Sequence, residues 1–244
     1  MKTYALFCSF GIFALAGQAL ASGAHSSDEH SDPLLFWSAG ASVDGSDVRW
    51  LDVRTGALFT WDAYAWYGGD EAKFRLEAEG EALDGDVETS ELRALLSWNV
   101  GSFWDLQAGL RHDFAPGPLT WAVIGVQGLA PYFFETEARL FVSENADVAF
   151  RLSQSIELLF TQQLILEPRV EVNLFAQDIA GLGVGAGLSD VEASLQLRYE
   201  VSREIAPYLE FVYQRDVGET AGITRDAGGD VENATLRIGL RVRL

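Results

Sequence analysis

The chain contains three histidines, His25, His30 and His112. The first two stand in a short acidic stretch with Asp28, Glu29 and Asp32. Imidazole and carboxylate together suit a divalent cation of the Cu(II), Ni(II) or Zn(II) type. His25, Asp28, His30 and Asp32 are therefore the candidate metal ligands; the same composition also fits a solvated polar tail. His112 is isolated. A hydrolase needs a nucleophile beside the imidazole and a partner that orients it, and nothing near His112 marks either, so no catalysis is expected. The run G-L-G-V-G-A-G at 181–187 superficially matches a phosphate loop. Such loops work between a strand and a following helix; here an alternating segment follows, and an outer loop is expected. No organic cofactor is called for.

The segments that must carry these residues begin with a leader. Lys2 gives a positive start, Tyr4 to Ala16 is apolar, and Ala19-Leu20-Ala21 is a small-x-small cleavage site. Residues 1–21 read as a signal peptide. Cleavage there removes Cys8 and Met1, the only cysteine and methionine in the chain, leaving an exported product without a sulfur ligand. Residues 22–47 are small, polar and acidic and read as a flexible tail, interrupted by the apolar Leu34-Leu35-Phe36-Trp37. The net charge of −19 argues against nucleic acid, whose phosphates need cationic contacts.

From 48 to 244 the sequence alternates. The last stretch, A-T-L-R-I-G-L-R-V-R-L, has Ala234, Leu236, Ile238, Leu240, Val242 and Leu244 at every second position, with Arg237, Arg241 and Arg243 between. Successive side chains of a strand point to opposite faces, so one face is apolar and the other cationic. Similar segments recur from 57–67 through 209–214, about twelve in all if the weak segment Val48 to Arg54 is counted and ten if the first part folds elsewhere. Leu119 to Leu129 is apolar on both faces and its orientation stays open. The expected fold is all-β, a transmembrane antiparallel β-barrel of about twelve strands closed by the C-terminal one. Only a closed barrel lets strands cross lipid without an unpaired edge. The second faces then line a lumen with charges of both signs, among them Arg75, Glu77, Glu79, Arg93, Glu137, Arg139, Glu167, Arg169, Glu171, Arg198, Glu210, Arg237 and Arg241. Two readings follow: a paired ladder that fills the interior, or an acidic lane for cations.

Connections offer a separate check. Counting back from the C-terminus, the links near 218–230 and 177–189 are long, and those near 203–204 and 161–162 are short. Long links on one side of the membrane and short ones on the other are the outer-membrane pattern. By that parity the turn at Gly101-Ser102 faces the periplasm, with Trp98 and Trp104 in the lower aromatic girdle.

Several stretches together resemble the copper-resistance protein B family of Gram-negative outer membranes. They are W-D-A-Y-A-W-Y-G-G-D (61–70), F-R-L-E-A-E-G-E (74–81), W-D-L-Q-A-G-L-R-H-D-F (104–114), G-V-Q-G-L-A-P-Y-F-F-E (125–135), L-I-L-E-P-R-V-E-V-N-L-F-A-Q-D (164–178) and G-L-S-D-V-E-A-S-L-Q-L-R-Y-E (187–200). The resemblance implies a monomeric outer-membrane barrel in copper tolerance that binds copper ions or assists their export, with a periplasmic copper-handling protein as partner. Family members usually carry a methionine- and histidine-rich segment before the barrel. The exported chain here lacks methionine, and Cu(I) prefers thiolate and thioether. The expectation is therefore Cu(II), held by the tail. The alternative from the residues alone is a general acidic porin with no metal role.

Overall fold

The computed structural model describes residues 35–50 and 57–244. The expected signal peptide (1–21) and the candidate ligands His25, Asp28, His30 and Asp32 lie outside these residues. Alternation becomes structure along the whole described chain. The strands are β1 (Phe36–Trp50), β2 (Leu58–Gly68), β3 (Ala72–Leu83), β4 (Asp86–Gly101), β5 (Trp104–Ala115), β6 (Leu119–Ala130), β7 (Phe134–Ser143), β8 (Val148–Ser155), β9 (Leu158–Leu159), β10 (Leu164–Phe175), β11 (Gly187–Tyr199), β12 (Ile205–Asp216) and β13 (Glu232–Arg243). Apart from β8 and β9, which both pair with β10, each pairs antiparallel with its chain neighbours, and β13 returns to pair with β1, with Gly40 opposite Arg243 and Gly45 opposite Ile238. The sheet thus closes as an up-and-down barrel. Among the described residues no helix is long and apolar enough to cross a membrane.

Thirteen segments make twelve staves, because β8 and β9 both run along β10. The break falls at Ile156-Glu157, opposite Glu167 and Pro168. Proline has no amide to give the ladder, and the Pro168 carbonyl still accepts from the Ile156 amide at 3.2 Å. β8 and β9 together make one stave, so the barrel has twelve staves and not ten.

The outward face carries large apolar side chains such as Phe59, Leu96, Leu110, Ile124, Leu209 and Ile238, all exposed. The inward face carries buried Glu77, Arg93, Gln107, Arg139, Glu167 and Arg198. A water-soluble barrel distributes these the other way round; lipid outside and ions inside explain this one.

The barrel begins earlier than the sequence suggests. Residues 36–47, assigned above to a flexible tail, form most of β1, and the barrel boundary moves from 48 to Phe36. In F-W-S-A-G-A-S-V-D-G (36–45) the pattern is hidden because the inward positions Ser38, Gly40 and Ser42 are small. Gly40 faces Tyr64 on β2, and a Cβ there would come within 2.7 Å of the Tyr64 ring. A bulky residue has no room, so alternation of size is absent where alternation of direction is present.

The two ends differ. At the end where β1 starts and β13 finishes every described turn is short, as at 102–103 and 200–204. At the other end lie the 176–186 link and the link containing helix α1 (Gly218–Asp226). The remaining described links at that end are brief. One is the two-residue Asp84-Gly85 hairpin, with both φ positive at 53° and 92°, the geometry that matches strand twist and favours Asp-Gly.

Candidate functional site

The lumen is built by strand register, which sets some opposite charges side by side, as Glu77 and Arg93 or Glu210 and Arg237, and also several like ones. Arg93 lies opposite Arg111, and Arg139 opposite Arg151. Glu79 lies opposite Glu91, and Glu171 opposite Glu192. Like charges directly across a ladder repel, so neutralisation must come from elsewhere.

Part of it comes from neighbours on the same wall, as where Glu77 faces Arg93 across the β3–β4 ladder, and part from across the barrel. The Glu77 carboxylate of β3 meets Arg93 Nε at 3.2 Å, Arg75 at 3.2 Å and, from the far wall, Arg139 Nη1 at 3.0 Å. Arg139 also holds Glu137 at 2.9 Å and donates to the Gln107 carbonyl oxygen at 3.2 Å. Glu91 binds Arg111 at 2.8 Å, Arg93 at 3.3 Å and Arg151 at 3.5 Å. Glu79 reaches Arg93 and, at 3.9 Å, Arg151. Walls β3–β4 and β7–β8 are thereby tied through the interior. Arg139 and Arg93 retain only 1% and 3% of their side-chain exposure. Lone charges so enclosed would cost several kcal/mol each, which is why each arginine contacts more than one carboxylate.

Two smaller clusters complete the interior. Arg198 binds Glu167 at 2.6 Å and also Glu157, while Arg241 accompanies Glu167 at 3.8 Å. At the seam, Tyr208 donates to Asp44 Oδ2 at 2.7 Å, Thr60 donates to its other oxygen, and Arg237 stands at 4.0 Å. The Tyr208 ring lies over Gly239, where a Cβ would come within 2.3 Å of it.

The space left over is unequal. A cavity of about 680 Å³ reaches the long-link end, past Pro116 and Leu182, and is lined by eleven carboxylates and five arginines. A cavity of about 180 Å³ lies at the Glu77–Arg139 crossing and is lined by five of each. The larger chamber is strongly acidic; the smaller is balanced. The paired ladder is seen at the crossing, and the chamber carries an excess of carboxylates over arginines.

The strand whose orientation stayed open, β6, turns Leu119, Trp121 and Val123 inward, with Ala122 and Ile124 outward. They form an apolar cluster within the lumen with Leu95, Phe141 and Ala149, against which Phe175, Ile179 and Leu182 pack. Trp121 donates to Asp113 Oδ2 at 2.8 Å, so Asp113 was a hidden signal for the inward face. The glycine run 181–187 is the β10–β11 link, as expected for an outer loop. Ile179 and Val184 bridge within it, and the Gly185 amide donates to Thr220 of α1 at 3.0 Å.

His112 is on the outward face of β5. Its Nδ1 lies 3.0 Å from Thr120 Oγ1, and its ring meets Phe114 edge-on. It is remote from the inward carboxylates. Among the described residues no group of three or more His, Cys, Asp and Glu has the geometry to hold a metal ion. His25, Asp28, His30 and Asp32 fall outside the described residues.

Comparison with known proteins decides the family. The model of the family described as "Copper resistance protein B precursor (CopB)" matches residues 45–244. The chain belongs to the copper resistance protein B family. It is 40% identical over 215 residues to a copper resistance protein B homolog of Pseudomonas syringae pv. tomato, covering 87% of this chain and 73% of that protein. It is also 40% identical over 196 residues to copper resistance protein B of Escherichia coli, covering 80% of this chain and 66% of that protein. The family gives this barrel a role in copper resistance. Among solved structures, the NanC porin aligns with a TM-score of 0.57 at 12% identity, over 84% of this chain and all of that one. The KdgM porin aligns with a TM-score of 0.50 at 9% identity, over 84% and 98%. These likenesses concern the barrel fold alone.

Proposed function

We propose that this copper resistance protein B relative is an outer-membrane protein that binds Cu(II), without enzymatic activity, and contributes to copper tolerance by holding the ion or assisting its export. The family match over residues 45–244 carries the reading. The apolar belt and the unequal link lengths support an outer-membrane site with the long links outside, reached through the leader at 1–21. In that orientation β1 starts at the periplasmic mouth, and the partner of this reading is a periplasmic copper-handling protein.

The choice of Cu(II) over Cu(I) follows from donor chemistry. Met1 and Cys8 are the only sulfur residues, both in the leader, and soft Cu(I) has no thiolate or thioether to bind in the exported chain. Of the three imidazoles, His112 is engaged on the outer face. His25 and His30, with Asp28 and Asp32, are left as the mixed nitrogen and oxygen set that Cu(II) favours. The acidic chamber adds a field that attracts divalent cations of any kind.

Deleting the gene and measuring growth on graded copper tests the role. Reduced tolerance, restored by the wild-type gene, is expected. Unchanged tolerance accompanied by altered uptake of small solutes would favour the general porin instead.

A further inference from the structure

The two cavities adjoin and share Asp62, Glu79, Arg151, Arg169 and Glu171 in their linings. They differ in charge, and the narrower one is crossed by the Glu77–Arg139 pair from opposite walls. Guanidinium groups at a constriction repel cations, and a carboxylate placed among them cancels that barrier. Glu77 does this for three arginines at once, Arg75, Arg93 and Arg139. Next to it, the chamber's excess of carboxylates concentrates cations and depletes anions by focusing the field between low-dielectric walls.

We infer that the lumen conducts small hydrated cations in preference to anions, and that the Glu77–Arg139 crossing sets both the conductance and the selectivity. The crossing is a charge-compensated filter. Its balance can be tipped either way by one side chain. Neutralising Arg139 leaves the constriction with an excess of carboxylate and lowers the barrier to cations. Neutralising Glu77 leaves neighbouring arginines uncompensated and raises it. A purely structural tie responds differently: loss of either partner loosens the same contact and changes selectivity in the same sense. The inference rests on the barrel spanning a bilayer and is independent of copper.

The test is reconstitution of the full exported chain in planar bilayers, with the reversal potential measured across a KCl gradient and insertion checked by flotation with vesicles. The wild type is expected to carry a small cation-selective current. R139Q is expected to shift the reversal potential further toward cations and raise conductance; E77Q is expected to shift it toward anions. R139K, which keeps the charge, is expected to match the wild type. Should E77Q fail to insert, E192Q in the chamber serves as the second arm, with reduced cation selectivity expected. Inserted wild type and R139Q that carry no current above bare lipid would overturn the inference. So would anion selectivity in the wild type, equal-sign shifts in E77Q and R139Q, or an E192Q barrel as cation-selective as the wild type. A barrel that conducts as described yet gives no copper tolerance would remove only the reading in the preceding subsection.

Discussion

The crossing and the chamber are made from the same residue types on the same strands, yet they behave as opposites. At the crossing Arg139 is enclosed by Glu137 of its own strand and Glu77 of the far wall, Arg93 by carboxylates of β3 and β4, and little space remains. In the chamber carboxylates outnumber arginines by about two to one, and Glu171 faces Glu192 directly across the ladder. A ladder that only filled the barrel would be balanced along its length. The imbalance at one end is a retained cost, and its location beneath the long links is where a cation-handling protein would tolerate it.

The contrast can be broken first at the crossing. Arg139→Ala removes a guanidinium that compensates Glu77 and Glu137 and binds Gln107. Stability should fall by about 3–5 kcal/mol, the usual cost of breaking a buried pair by removing one partner. Urea unfolding in detergent, followed by tryptophan fluorescence, reads this. Next is the seam, where Asp44→Ala leaves the Tyr208 and Thr60 hydroxyls without their acceptor. A loss of about 2–3 kcal/mol is expected from two orphaned donors, visible in the same assay. Gly239→Val sharpens the seam comparison by overpacking the Tyr208 ring, for about 1–2 kcal/mol. The smallest effect belongs to the chamber. Glu192→Gln relieves like-charge repulsion against Glu171 and should change stability by less than about 0.5 kcal/mol. An Arg139→Ala loss no larger than that of Glu192→Gln would erase the distinction between the two regions.

Much of the barrel was legible because direction and hydropathy alternate together in strands such as β3 and β13, where apolar residues face lipid and ionised ones face the lumen. Legibility failed where that coupling lapsed. In β1, Gly40 is small because Tyr64 occupies its space, so a paired strand reads as a polar tail. In β6, Trp121 and Val123 point inward among other apolar groups, and period two carries no contrast. The charges at the crossing could be assigned to the inner face from sequence, but their partners could not. Glu77 and Arg139 are brought together by closure of the sheet, which no local pattern encodes. The tail ligands His25, Asp28, His30 and Asp32 were named from residue chemistry alone and stay a proposal on that basis.

Copper binding itself is the most direct test. Equilibrium dialysis of Cu(II) against the purified full exported chain and its His25→Ala/His30→Ala variant, both folded in detergent, separates the tail from the lumen. The account predicts copper retained by the wild type and largely lost from the double variant, with the barrel unchanged. Undiminished binding by the variant would move the ion to the lumen carboxylates, and no binding by either would contradict the assignment of Cu(II) as the cargo.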